Sequence, residues 1–132
     1  MAGITVLIAT KHPLFRRSLR QLCVINGGFR VVAEATTAEE LVALAACWRP
    51  AVVLADMQLA ELEGTATTRR LLAAQPDLIT ILLAFAWEDA TLERARRSGA
   101  RAWLAKDCAE ATLFAVMRTG QPGGSVDRPS AG

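Results

Sequence analysis

Ile4-Thr5-Val6-Leu7-Ile8-Ala9-Thr10-Lys11-His12-Pro13 is the stretch that decides the fold. Residues 4–9 read as a buried strand, which delivers Thr10 and Lys11 to its C-terminal end. His12-Pro13 then opens a helix, because the fixed φ of proline suits the first helical turn. Two further apolar strands end at Asp56 and at Lys106. The functional crevice of an open parallel α/β sheet lies at the carboxyl ends of its strands, so Lys11, Asp56 and Lys106 are expected to converge there. One carboxylate facing two ammonium groups does not make a divalent-metal site, and no cofactor, magnesium included, is expected.

Periodicity and punctuation extend this outward. The spacing predicts a helix from about Pro13 to Ile25 with Leu14, Leu19, Leu22 and Cys23 inward and arginines outward, stopped by Gly27-Gly28. Phe29 to Glu34 reads as a second strand. Thr36 and Thr37 each have a glutamate three residues on, Glu39 and Glu40, which gives two overlapping capping-box registers for a helix through Leu41, Leu44, Ala45 and Trp48. Pro50 ends it. Ala51-Val52-Val53-Leu54-Ala55 is apolar on consecutive residues, as a parallel strand covered on both faces must be, and stops at Asp56. A polar loop with Gly64 leads to a helix over about Thr65 to Ala74. Leu78 to Leu83 is another buried strand ending near Ala84, with Thr80 expected to be a core hydroxyl bonded locally. A helix over Asp89 to Ser98 closes at Gly99, Arg101 to Ala105 forms the last strand, and Asp107 with Glu110 is expected to cap a final helix running to about Arg118. Five strands alternating with five helices imply a doubly wound α/β sheet with right-handed crossovers.

Composition bounds the function classes. The chain has 132 residues, 52% of them hydrophobic, and a mean hydropathy of +0.28, which suits one well-buried domain over residues 1–120 followed by a flexible linker or tail over 121–132. No apolar run reaches the length of about 18 to 20 residues that spans a bilayer, so a cytoplasmic location is expected. Cys23, Cys47 and Cys108 lie far apart without histidine partners and read as buried or half-buried thiols. A net charge of +2 without a long basic run argues against general polyanion binding. Arg16, Arg17 and Arg20, and Arg94, Arg96 and Arg97, read as solvated helix faces.

Three segments carry a family resemblance: Ile4 to Phe15; Val52-Val53-Leu54-Ala55-Asp56 with Gly64 eight residues later; and Ser98-Gly99-Ala100-Arg101-Ala102-Trp103-Leu104-Ala105-Lys106-Asp107. Together they resemble receiver domains of bacterial two-component response regulators, over about Ile4 to Gly120, and most closely the NarL/FixJ branch. The resemblance implies a flavodoxin-like (βα)5 sheet of strand order 2-1-3-4-5, with Asp56 equivalent to the phospho-acceptor and Lys106 to the family's lysine. Members usually carry a C-terminal helix-turn-helix. None is read within these residues, so a DNA-binding domain is expected beyond this chain.

The departures are as informative. The resemblance places two magnesium-binding acids after the first strand, where this chain has Thr10 and Lys11. It places a Ser or Thr at Ala84, a Tyr or Phe at Trp103, and commonly a Pro at Ala60. The expectation is therefore a pseudo-receiver. It would not be an enzyme but a phosphorylation-independent regulatory and dimerisation module of a transcriptional regulator, a homodimer in which Leu113, Phe114 and Met117 serve core and interface together. In it Lys11 substitutes for the metal and pairs with Asp56 while Lys106 completes the cluster. Two rival readings stand beside it: a weak conventional phospho-acceptor using Asp56, and a small-ligand sensor using an exposed aromatic patch of Phe85, Trp87 and Trp103. Trp103 also reads as core filler, and His12 as a residue fixing the first helix start.

Overall fold

Alternate residues of every central strand point into two separate cores. Val6 and Ile8, Val52 and Leu54, Ile81 and Leu83, and Ala102 and Leu104 fill one; Leu7 and Ala9, Val53 and Ala55, and Leu82 fill the other. A strand with period-two side chains that are apolar at both parities can only sit in the middle of a three-layer sandwich. The computed structural model, which describes residues 3–61 and 66–120, has that architecture. Parallel strands β1 (Ile4–Ala9), β2 (Phe29–Ala35), β3 (Val52–Asp56), β4 (Ile79–Ala84) and β5 (Ala102–Ala105) form a sheet of order β2-β1-β3-β4-β5. This is the flavodoxin-like topology expected from the sequence.

Helices α1 (Pro13–Asn26) and α6 (Glu110–Thr119) cover the first core, through Leu19 and Cys23 on one and Leu113, Phe114, Val116 and Met117 on the other. The rings of Phe29 and Phe114 stack there, 5.2 Å between centroids. Helices α2 (Ala38–Trp48), α4 (Ala66–Ala74) and α5 (Asp89–Ser98) cover the second, with Leu41, Ala45, Leu71 and Ala95. The α2 start settles the two capping registers in favour of Thr37, whose side chain accepts from the Glu40 amide at 3.0 Å. The Glu40 carboxylate reaches back to the Thr36 amide at 2.7 Å, and these hydrogen bonds hold it below the usual carboxylate range. Arg49 closes α2 in the left-handed region, φ 44°, immediately before Pro50.

Several expectations fail locally. The segment after Asp56 is not a loop throughout: Met57–Glu61 forms a short helix, α3, because Met57 and Leu59 are drawn into the second core. Gly64 lies outside the described residues, as does the Ala60 side chain. Leu14 is 76% exposed rather than inward. Ala109, not Asp107, is the N-cap of α6, with no side-chain cap. Leu113, Phe114 and Met117 are all buried in the first core, which leaves them nothing to offer an interface. Thr80 Oγ1 is buried without a hydrogen-bond partner, contrary to the local bond expected. Cys47 is exposed.

Candidate functional site

Three strand ends meet where the topology reverses. β1 and β3 are neighbours and β4 lies beyond β3, so Thr10 follows β1, Asp56 ends β3, and Lys106 follows β5 in one crevice at the carboxyl edge. Asp56 is 2% exposed and its carboxylate is fully engaged. Thr10 Oγ1 donates to Oδ2 at 2.7 Å, Lys106 Nζ donates to the same oxygen at 2.8 Å, and the Gln58 amide donates to Oδ1 at 3.0 Å. Charge-assisted hydrogen bonds of this length are the strong kind, and in a dry site they fix the carboxylate's orientation.

Lys106 is as confined as its partner. Its side chain is 5% exposed, and its ammonium lies 4.8 Å from the Phe15 ring centroid and 4.9 Å from that of Phe85. Two aromatic faces replace water around a cation whose remaining face is given to Asp56. Phe85 itself is 74% exposed, so it forms the outer wall of the site. A cavity of about 360 Å³ opens beside it, lined by His12, Asp56, Gln58, Ala84, Thr91 and Lys106 among others.

The Thr10 backbone is anchored as well as its side chain. Thr10 is fully buried, its Oγ1 accepts from the His12 amide at 3.2 Å, and its carbonyl accepts from Arg16 Nη1 at 3.2 Å. Arg16 Nε is held in turn by Glu34 Oε1 at 3.1 Å. His12 does more than start α1: its Nε2 shares a 2.7 Å hydrogen bond with Gln58 Oε1 and stands 3.8 Å from Asp56 Oδ2, bridging the crevice mouth.

Two expectations about this site are corrected. Lys11 does not join Asp56: it is exposed and makes no ion pair among the described residues. The β1 end gives its inward position to Thr10, and a long ammonium side chain gains nothing by desolvation beside a carboxylate that Lys106 already neutralises. The aromatic residues do not form one patch. Phe85 turns to α1 and Lys106, whereas Trp87 and Trp103 are half-buried and pack on the second core. Trp87 Nε1 donates to the Leu104 carbonyl at 3.1 Å, neither tryptophan lines the cavity beside Asp56, and the Trp103 Nε1 is buried without a partner. The core-filler reading of Trp103 fits this placement.

The roles of Phe15, Gln58, Arg16 and Glu34 were not foreseen. Only proximity in sequence to the strand ends pointed to the first two, and nothing local linked Arg16 to Glu34.

A doubly wound sheet whose carboxyl edge presents a buried aspartate paired with a lysine defines a signalling receiver module. The chain matches the response regulator receiver domain over residues 6–118, and it belongs to that family. It is 31% identical over 115 residues to the response regulator GacA of Pseudomonas aeruginosa, covering 87% of this chain and 54% of that protein. It is 25% identical over 126 residues to the transcriptional regulatory protein DegU of Brevibacillus brevis, covering 96% and 53%. The chain thus spans about half the length of the curated relatives it matches. Among solved structures, the signal receiver domain of the response regulator NarL from Mycobacterium tuberculosis superposes with a TM-score of 0.81 at 23% identity, over 91% of this chain and 98% of that one. The receiver domain of a modulated diguanylate cyclase from Desulfovibrio desulfuricans G20 does so at 0.76 and 31% identity, over 88% and 91%. No described helix is long and apolar enough to cross a membrane.

Proposed function

We propose that this receiver is a pseudo-receiver, a phosphorylation-independent regulatory and dimerisation module of a transcriptional regulator. The observation that carries the reading is the Thr10 hydroxyl, which stands where the resemblance places an acid and donates to Asp56 Oδ2 at 2.7 Å, on the oxygen that Lys106 also holds at 2.8 Å. A phosphodonor needs that carboxylate as a free nucleophile, and here both oxygens are hydrogen-bonded and Asp56 is 2% exposed.

Magnesium does not fit the residues present. The ion demands near-octahedral oxygen coordination with carboxylates at its centre. The positions of the expected acidic pair supply one hydroxyl, already bonded to Asp56, and one exposed ammonium, while the remaining carboxylate faces Lys106. Ala84, which borders the cavity, offers no hydroxyl to a phosphoryl group. The role assigned from the sequence to Lys11 passes to Thr10: a neutral donor, not a surrogate cation, occupies the inward position.

A DNA-binding output is supported by the half of the relatives' length that lies beyond the match and by the description of DegU as a transcriptional regulatory protein. With the inner face of α6 consumed by the core, pairing between copies would use outward faces of the helices. The test is incubation with acetyl phosphate and magnesium, read by intact mass and light scattering. The expected result is an unmodified chain whose dimeric mass does not depend on the phosphodonor. Stoichiometric, magnesium-dependent modification that is lost in Asp56→Asn would overturn the proposal.

A further inference from the structure

Away from the Asp56 crevice, α1 and β2 flank a groove of about 760 Å³, roughly twice the volume of the cavity beside Asp56. Its apolar part is formed by Val24, Ile25 and Val31 and its cationic part by Arg17, Arg20 and Arg30. Val24 and Ile25 are 71% and 80% exposed. Adjacent β-branched residues near the end of a helix are poor helix formers and add nothing to the core from there, so no packing among the described residues accounts for them.

We propose that this groove docks an acidic amphipathic helix of a partner protein. Charge complementarity carries the choice. Arg16 and Arg20 pair with Glu34, and the field of Arg16 also reaches the Glu40 carboxylate. Arg17 and Arg30 are exposed and make no ion pair among the described residues. Arg17 and Arg30 thus leave this face with a positive charge that nothing described on it offsets, and that charge steers an acidic partner. The geometry favours a helix over an added strand. β2 is an edge strand, but its pairing with β1 shifts register between Val6 and Leu7, and such an irregularity makes a poor template for strand addition. Arg17, Gln21 and Val24 instead form a ridge along α1, against which a helix packs by ridge and groove. Arg17 and Arg20 lie toward the start of that ridge, while Arg30 lies beside the apolar pair at its end. The partner helix therefore lays an apolar stripe on Val24, Ile25 and Val31, with acids beside that stripe to meet Arg17, Arg20 and Arg30. This inference does not depend on how Asp56 behaves.

The probe is a fluorescein-labelled helical peptide of about 16 residues with a stripe of leucines flanked by glutamates, titrated by anisotropy against the whole chain. Saturable, salt-sensitive binding is expected. Arg17→Glu with Arg30→Glu, and separately Val24→Ser with Ile25→Ser, should each weaken it about tenfold, with the far-ultraviolet spectrum confirming that these surface changes leave the fold intact. Equal binding of polyglutamate or of a mixed-sequence DNA duplex would replace the proposal with general polyanion attraction. Loss of a wild-type dimer in the Val24→Ser/Ile25→Ser variant would assign the groove to a second copy. Undiminished peptide binding by both variants, or none by the wild type, would also overturn it.

Discussion

Replacing Asp56 by alanine removes the acceptor on which the whole crevice converges, and the structure sets the size of the effect. The Lys106–Asp56 contact is 2.8 Å long between side chains that are 5% and 2% exposed. Removing one partner of a buried pair commonly costs about 3–5 kcal/mol. The contacts of the ammonium with the faces of Phe15 and Phe85, at 4.8 and 4.9 Å, are present before and after the change and cancel. The lysine stem can swing its head toward water past the exposed Phe85, which recovers about 1 kcal/mol and leaves a net loss of about 2–4 kcal/mol. With a urea slope of about 1–3 kcal/mol per molar for a domain of this size, the unfolding midpoint should fall by about 1–2 M. Trp87 and Trp103 supply the fluorescence signal. Adding Lys106→Met to Asp56→Ala should restore part of the loss, since an apolar pair leaves no buried charge. Lys11→Ala, at an exposed position, should stay within about 0.5 kcal/mol of wild type. An unchanged midpoint for Asp56→Ala, or an equal loss for Lys11→Ala, would refute the cluster described above.

Thr10→Asp combined with Lys11→Asp places a second carboxylate against Asp56 in a site where Thr10 is fully buried. Two such charges about 4 Å apart repel by about 4 kcal/mol at an effective dielectric of 20, so without metal the double variant should melt at lower urea, and millimolar magnesium should restore it. Equal stabilisation of the wild type by the ion would show that the natural site already binds it. Thiol titration near neutral pH should find only Cys47 fast, because it alone is exposed. Burial pushes the Cys23 thiol up to about 11 from its ordinary 9.0, and burial with the nearby Asp107 carboxylate raises that of Cys108. The Cys23 contribution to stability is therefore complete below 9.0 and lost as the pH climbs through about 11. Rapid labelling of Cys23 in the native protein near neutral pH would contradict its burial.

The strands and the position of Asp56 were legible because each depends on patterns local to the chain: apolar runs at both parities, punctuated by glycine, proline and capping threonines; the order of the strands came from the resemblance to receiver domains. The site was legible only in part. Strand ends place Thr10, Asp56 and Lys106 at one edge whatever the side chains do, but which of two consecutive residues, Thr10 or Lys11, turns inward depends on the pleat at the last residue of β1. A hydroxyl and an ammonium there look equally polar in sequence. Lys106 was anticipated to contact Asp56, whereas its enclosure by Phe15 and Phe85 joins residues from three separate elements that no periodicity connects. The aromatic patch failed for the same reason: Phe85 and Trp87 are two residues apart and part to opposite sides of β5. The α3 helix escaped because its residues are too few to show a period.

The indole of Trp87, bonded to the Leu104 carbonyl at 3.1 Å, ties the connection after β4 to the outer edge of the sheet. Any alternative conformer that lifts this connection away must break that bond and leave a carbonyl of the last strand without its donor. A single neutral hydrogen bond of about 1 kcal/mol tilts a two-conformer equilibrium about fivefold. A ligand or partner that acted on this domain by selecting the lifted conformer would lose that factor from its apparent affinity, and Trp87→Phe would return it.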